Sequence, residues 1–217
     1  MLLLNHSRDS LLDYTCRQLS NFFPSGDAAA LRQQLDRHLD AALERLAHCI
    51  NQIRMWPQGQ FNYLNSSQYC IYLYFLANTV WRNAQDSDTA TRLFLLNKAL
   101  NGIELFYEIA MPEVFIIGHS VGIVLAKASY GNYLVLYQNS TVGKNHGVAP
   151  VLGDGVILYP NSAIIGRCEI GAHTVVSQGC SIVNRNSPGN CIAFSGTGGS
   201  LVYQTPSRPL LDDFFRL

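Results

Sequence analysis

Three of the six histidines are evenly spaced in the second half of the chain, at His119, His146 and His173, with steps of 27 residues. A histidine side chain can exchange a proton near neutral pH, because the pKa of imidazole in water is about 6.5. It can also bind zinc through a neutral ring nitrogen. The spacing therefore allows two kinds of chemistry, proton transfer or a shared metal site, and the fold that carries the three residues must decide between them.

Composition excludes several classes of protein. Fifteen basic and fifteen acidic residues cancel, which predicts neither a nucleic-acid partner nor an anionic membrane surface. The opening MLLLNHSRDS turns polar too soon for a signal peptide, and residues 69–81, the most apolar stretch, are shorter than the roughly 20 residues that span a membrane.

Six cysteines form no Cys-x-x-Cys pair in a chain of 217 residues. We predict free thiols and a cytoplasmic protein.

Residues 1–110 have the pattern of helices. Between Asp27 and Arg54 apolar residues recur at intervals of three and four, which predicts one long amphipathic helix capped by Ser25 or Asp27. Residues 66–83 are apolar nearly all round and predict a buried helix, and residues 88–106 predict a third helix with one apolar face. We predict a helical domain over residues 1–110.

From residue 124 onward the apolar residues recur every six positions instead. This period fits neither an α-helix nor an alternating strand. It is the hexapeptide repeat of a parallel β-helix, in which three short strands form each triangular coil and the aliphatic side chain points inward. We predict this β-helix over residues 111–200 and a loosely attached tail over residues 201–217. The residues on this register are Val124, Tyr130, Leu136, Val142, Leu152, Leu158, Ile164, Ile170, Val176 and Ile182.

One interruption breaks the repeat. Val142 and Leu152 are ten residues apart, so four extra residues loop out within residues 143–150. A loop that projects from a solenoid costs little free energy and can reach a neighbouring chain. We predict that this projecting loop helps to wall in a ligand site.

Helices followed by a β-helix, with His119 on the first full coil, resemble the serine acetyltransferases of the hexapeptide acyltransferase superfamily. The family's Asp-His-Ala-Thr-Gly-Ile-Val corresponds to Gly-His-Ser-Val-Gly-Ile-Val at residues 118–124. Its Pro-Lys-Ile-Arg-Glu-Gly-Val-Met-Ile corresponds to Pro-Val-Leu-Gly-Asp-Gly-Val-Ile-Leu at residues 150–158. The resemblance covers about residues 60–200 and implies an α+β chain whose repeats form a left-handed β-helix.

The resemblance also implies a reaction, the direct transfer of an acetyl group from acetyl-CoA to a hydroxyl without an acyl-enzyme. His119 is then the general base that removes the hydroxyl proton. A carboxylate should hold its other ring nitrogen. The family's Asp-Ile-His-Pro is most similar to residues 108–112, which gives that role to Glu108, with Glu104 and Glu113 as alternatives.

In the family, acetyl-CoA lies between the β-helices of neighbouring subunits and contacts the corners of the coils. An ordinary turn residue is the alternative for each corner position. The resemblance implies contacts to acetyl-CoA at Tyr159, Asn161, Ser162, Ser177 and Gln178.

Two departures from the family bear on the acceptor. Members that use serine have an Asp directly before the base and an Arg at the end of the loop, which meet the amine and the carboxylate of serine. Here these positions are Gly118 and Val148, and a zwitterion bound without complementary charges leaves both ionic groups unpaired. Lys144 and His146 in the loop could replace them in part, so we assign both to the acceptor site.

We therefore predict an acceptor other than free serine, such as a sugar unit of a surface polysaccharide. A serine O-acetyltransferase of cysteine biosynthesis stays open as the alternative. So does a non-catalytic β-helix scaffold, which predicts no turnover of acetyl-CoA.

The predicted architecture also bears on metal binding and on assembly. Carbonic anhydrases with the same β-helix bind zinc through three histidines, two of them five residues apart, and no His-x-x-x-x-His occurs here. We therefore predict no metal.

A triangular β-helix has flat sides, and three such units can pack around a threefold axis. This predicts a homotrimer or, as in the family, a pair of trimers joined through the helices. Members that dock a cysteine-synthesis partner end in isoleucine after an acidic stretch, whereas this chain ends in Leu217 after an arginine, so we expect no such complex.

Overall fold

A computed structural model describes all of residues 1–217. Its N-terminal part has four helices and a two-stranded parallel sheet, formed by β1 (Leu2–Leu4) and β2 (Gln60–Asn62). The helices are α1 (Arg8–Phe22), α2 (Ala28–Gln52), α3 (Ser66–Ala84) and α4 (Ser87–Asn101). No helix combines the length and apolarity that crossing a membrane requires.

Three of these helices coincide with the predicted segments. Asp27 caps α2, and its side chain accepts a hydrogen bond of 2.9 Å from the N–H of Ala30, because the first-turn amides of a helix lack partners within it. α3 is buried along most of its length, as its apolar sequence predicts. α4 ends at Asn101, before the predicted end at residue 106, since Gly102 adopts a left-handed φ of 63° that terminates the helix.

The remaining strands form three sheets, and the three central coils contribute a strand to each of them in turn. Sheet 1 consists of β3 (Glu104–Leu105), β5 (Val124–Leu125), β8 (Thr141–Gly143), β11 (Ala163–Ile165) and β14 (Ser181–Val183). Sheet 2 consists of β6 (Ser129–Tyr130), β9 (Val151–Leu152) and β12 (Glu169–Ile170). Sheet 3 consists of β4 (Phe115–Ile117), β7 (Leu134–Leu136), β10 (Ile157–Leu158), β13 (Thr174–Val176), β15 (Cys191–Ser195) and β16 (Leu201–Gln204).

This arrangement confirms the predicted helical region followed by a parallel β-helix. Neighbouring coils pair in parallel register, for example Leu158 with Val176; only β16 runs antiparallel, against β15. Val124 departs from the predicted register: its side chain is 44 % exposed and Leu125 takes the inward place. The solenoid also begins earlier than residue 111, because β3 already pairs with β5.

The C-terminal tail is docked, so the prediction of a loosely attached peptide is wrong. After β16 the chain returns over the outer side of sheet 3 to the helices, and Phe215 is fully buried, with its ring centroid 5.3 Å from that of Tyr133. The Arg216 guanidinium binds backbone carbonyl oxygens in the last turn of α2 and in the segment that follows it. The acceptors are the carbonyl groups of Asn51, Ile53, Arg54 and Trp56.

Replacing Arg216 by alanine is expected to lower the free energy of unfolding by about 2 kcal/mol, since a hydrogen bond from a charged group typically contributes about 1.5–3 kcal/mol. Urea unfolding followed by circular dichroism, at one protein concentration, measures the change. Arg208→Ala is the matched control, because Arg208 is exposed and pairs only within the tail, with Asp213, and should leave stability nearly unchanged. Equal effects of the two substitutions would contradict the docked tail.

Candidate active site

The candidate residues are distributed over the three corners of the solenoid. The corner between sheets 3 and 1, here called the 3–1 corner, comprises residues 118–123, 137–140, 159–162 and 177–180 and carries His119. The 1–2 corner carries His146 in the projecting loop, and the 2–3 corner carries His173. The evenly spaced histidines thus lie on three different corners, and no group of three or more His, Cys, Asp or Glu side chains could hold a metal.

His119 is exposed at the 3–1 corner, and its ring makes no hydrogen bond or ion pair within the chain. The nearest aromatic ring is that of Tyr137, with 6.4 Å between the centroids. The preceding carbonyl, that of Gly118, accepts a hydrogen bond of 3.3 Å from Ser67 in the first turn of α3. The backbone beside His119 is therefore held by the helical part, while both imidazole nitrogens remain available for a substrate and for a positioning group.

The three candidate carboxylates lie at different corners. Glu108 forms an ion pair with Lys127 at the 1–2 corner, and Glu113, at the 2–3 corner, lies 3.6 Å from His48 of α2. Glu104 is paired with Lys98, but it opens β3 directly after the 3–1 turn, where its N–H donates to the carbonyl of Ile123 over 2.8 Å. The structure therefore does not bring Glu108 to His119, and Glu104 is the candidate that borders the 3–1 corner, since it pairs with Val124 directly after residues 118–123.

The five predicted contacts for acetyl-CoA all lie on the 3–1 corner, below His119. Tyr159, Ser177 and Gln178 reach solvent, and the Asn161 side chain accepts a hydrogen bond of 3.1 Å from Asn139. Ser162 is only 1 % exposed, in the small inward position of the repeat. Four of the five predicted side chains thus reach the surface of this corner.

Two residues of this corner were missed by sequence reasoning. Tyr137 stacks on Tyr159, with 5.5 Å between ring centroids and 17° between ring planes. Gln138 has a buried Oε1 that accepts no hydrogen bond. The pattern that could have revealed Tyr137 is its place directly after the inward Leu136, which Tyr159 repeats after Leu158 one coil later.

The projecting loop is a short hairpin. Asn145 and Val148 exchange two backbone hydrogen bonds of 3.0 Å around His146 and Gly147, whose φ values of 48° and 81° suit a tight two-residue turn. Lys144 and His146 are exposed and lie on the 1–2 corner, so within one chain they do not approach His119. They can act at His119 only if the loop of one copy reaches the 3–1 corner of another.

These features define a hexapeptide-repeat β-helix preceded by helices, with a histidine at an open corner of its first full coil. No protein-family model matches the sequence, and no curated protein is significantly similar to it. Solved structures do share the fold. A serine acetyltransferase from Vibrio cholerae superposes with a TM-score of 0.74 at 17 % identity, over 97 % of this chain and 85 % of that one.

Two complexes are also similar. A serine acetyltransferase from Brucella abortus bound to coenzyme A gives a TM-score of 0.68 at 15 % identity, over 93 % of this chain and 84 % of that one. One from Neisseria gonorrhoeae bound to serine gives 0.60 at 17 % identity, over 90 % and 84 %. The predicted resemblance is thus confirmed at the level of the fold, a helical region followed by a left-handed β-helix.

Proposed function

We propose that the protein is an acetyl-CoA-dependent O-acetyltransferase whose acceptor is a neutral hydroxyl compound, such as a saccharide. The observation that carries this proposal is the exposed His119, which has no internal partner and stands at the top of a corner free of charged side chains. A histidine that served only the fold would be expected to hydrogen-bond within it. The fold shared with acetyltransferases gives the reaction class.

In the proposed reaction, His119 removes the proton from the acceptor hydroxyl as that oxygen attacks the thioester carbon of acetyl-CoA. A C–O bond forms and the C–S bond breaks. The leaving thiolate takes the proton from the imidazolium, which restores the base. Acetyl-CoA supplies the activated acyl group, and the chain supplies the base and the surface that orients both substrates.

The exposed side chains of this corner form a surface on which the pantetheine arm of acetyl-CoA can lie. Tyr159, Asn161, Ser177 and Gln178 reach solvent there, and the side-chain amides of Asn161 and Gln178 can hydrogen-bond to the amide groups of that arm. We keep these residues as the proposed contacts.

For the carboxylate that positions His119 we favour Glu104 over Glu108. Glu104 borders the 3–1 corner on sheet 1, and its partner Lys98 is a surface residue whose ion pair is easily exchanged. Glu104→Gln should lower kcat while leaving the KM for acetyl-CoA unchanged. Glu108→Gln is the matched control, and a larger loss of kcat in that variant would restore Glu108 to the role.

Free serine is the second candidate acceptor. The similar structures favour it, since they are serine acetyltransferases and one of them is bound to serine. The corner itself disfavours it, because residue 118 has no carboxylate and no cation lies at the 3–1 corner. Lys144 and His146 of a neighbouring copy would have to supply the missing charges.

We propose that the protein assembles as a trimer, and the exposed surfaces support this. Sheet 3 is covered on its outer side by the tail, whereas Val124 and Val183 on sheet 1 and Val151 on sheet 2 are 44–50 % exposed. Light scattering at micromolar protein should therefore show a trimer, or a pair of trimers. A monomer under these conditions would contradict the assembly and, with it, any role of the loop at a neighbour's His119.

Product analysis tests the reaction. After incubation with acetyl-CoA and methyl glycosides, mass spectrometry should find an O-acetylated glycoside and no acetylated protein. A covalent acetyl-protein that forms before product would contradict direct transfer. The six cysteines are unpaired, which supports our proposal of a cytoplasmic location, where disulfides are rare.

A further inference from the structure

The ring of Tyr137 fills the space into which a side chain at position 118 would project. A Cβ atom placed on Gly118 would lie 2.8 Å from both Cδ1 and Cε1 of Tyr137, closer than real Cβ contacts. The glycine and the tyrosine are therefore coupled. At the position where the resemblance to serine acetyltransferases implies an amine-binding carboxylate, this chain has an aromatic ring contributed by the next coil.

The ring of Tyr137 is fixed and neutral. Tyr159 stacks beneath it, and Phe214 from the docked tail approaches its edge, with 6.4 Å between centroids and 70° between planes. Burial raises the pKa of the Tyr137 hydroxyl, and Tyr159 raises it further, so the phenol stays protonated at neutral pH. The ring is only partly buried, and its centroid lies 6.4 Å from that of His119.

The rest of the corner is uncharged as well. None of residues 118–123, 137–140, 159–162 and 177–180 is Asp, Glu, Lys or Arg. Hydrogen-bonding groups are nevertheless available there, on Gln138 and Asn139. A ligand beside His119 therefore finds an apolar ring and amide groups, which suit a sugar ring with its apolar C–H face and its hydroxyls.

We propose that Tyr137 determines the acceptor specificity of this site: its ring selects a neutral pyranose-like acceptor and, by excluding a side chain at position 118, excludes the carboxylate that would bind an amino acid. The proposal rests on the proposed O-acetyltransferase function. It assigns to Tyr137 a contact with the acceptor and no part in proton transfer.

Steady-state kinetics with two kinds of acceptor test this assignment. The neutral probe is the best substrate among the methyl glycosides of glucose, galactose and N-acetylglucosamine, and the charged probe is L-serine. Tyr137→Ala should raise the KM for the glycoside about 10- to 100-fold, the loss expected for removing a packed aromatic surface. Tyr137→Phe, which keeps the ring, should change that KM less than about threefold.

Three further variants complete the test, and the first two separate a lost contact from a damaged fold. Gly118→Ala displaces the ring without deleting it and should also raise the glycoside KM. Tyr203→Ala, a tyrosine deletion on β16 in the last part of the solenoid, should leave it unchanged. The double variant Gly118→Asp/Tyr137→Ala restores the family's carboxylate in the space that the ring vacates, and it should raise kcat/KM for L-serine about tenfold over wild type, as one charge-assisted contact predicts.

The outcomes distinguish this inference from the function on which it rests. If wild-type protein acetylates no acceptor, the proposed function is wrong. If wild type acetylates a glycoside and Tyr137→Ala and Gly118→Ala both keep its KM, the function stands and the role of Tyr137 is wrong. A fall in kcat for Tyr137→Phe with unchanged KM would also contradict the assignment, since it would place the phenol in proton transfer.

Discussion

Replacing His119 by alanine should lower kcat for acetyl transfer by about 10²- to 10⁴-fold, the usual consequence of losing a general base. The fold should be unaffected, because the imidazole is exposed and hydrogen-bonds to nothing in the chain. Thiol release from acetyl-CoA measures the rate. Unfolding temperature and light scattering verify that the variant is folded and assembled.

His173→Ala is the matched control for this experiment. His173 is also an exposed corner histidine, but it lies on the 2–3 corner, and its loss should leave the rate within about twofold, as for most surface substitutions. A His119→Ala enzyme with wild-type kcat would mean that His119 is a surface residue without a catalytic role.

Free L-serine should be a poor acceptor, with kcat/KM lower than that of a neutral acceptor by about two to four orders of magnitude. The resemblance to serine acetyltransferases implies one charge-assisted contact to the amine of serine and one to its carboxylate. Gly118 and Val148 cannot make these contacts, and each is worth about 1.5–3 kcal/mol. The structure strengthens this expectation, because the ring of Tyr137 occupies the space that a carboxylate at position 118 would need.

A neutral serine derivative provides the control. N-acetyl-L-serine amide keeps the hydroxyl but carries no charge, so it should be acetylated faster than L-serine at equal concentration. L-serine that saturates the enzyme below millimolar concentration would overturn the prediction, and would indicate that Lys144 and His146 from a neighbouring copy bind its charges.

The solenoid could be predicted from the sequence because its inward-facing side chains recur at a nearly constant spacing of six residues. Such a pattern is local in the chain and can be recognised without knowledge of distant contacts. The period fails at Val124 because this step of the coil has only five residues, so Leu125, which pairs with the inward Val142, takes the buried place before Tyr130. The docking of the tail was not predictable in this way. Its partners are the carbonyl groups at the end of α2, about 160 residues away in the chain, and no local pattern encodes such a contact.

The candidate site was predictable in part for the same reason. His119 stands within a seven-residue motif, so its place at an open corner followed from the sequence. The choice among Glu104, Glu108 and Glu113 depends on which corner each one reaches. The corner that each carboxylate reaches depends on where the first coil begins. The sequence did not show this start, because the apolar pattern of the predicted helix continued past Gly102 and covered the residues of β3.

Release of thiol from acetyl-CoA by the wild-type protein tests the central claim most directly, measured in parallel with water, L-serine and the three methyl glycosides. We predict release that depends on a glycoside and far exceeds the rate with water or L-serine. Release no faster than the uncatalysed reaction with every acceptor would contradict enzymatic acetyl transfer and would favour a β-helix scaffold.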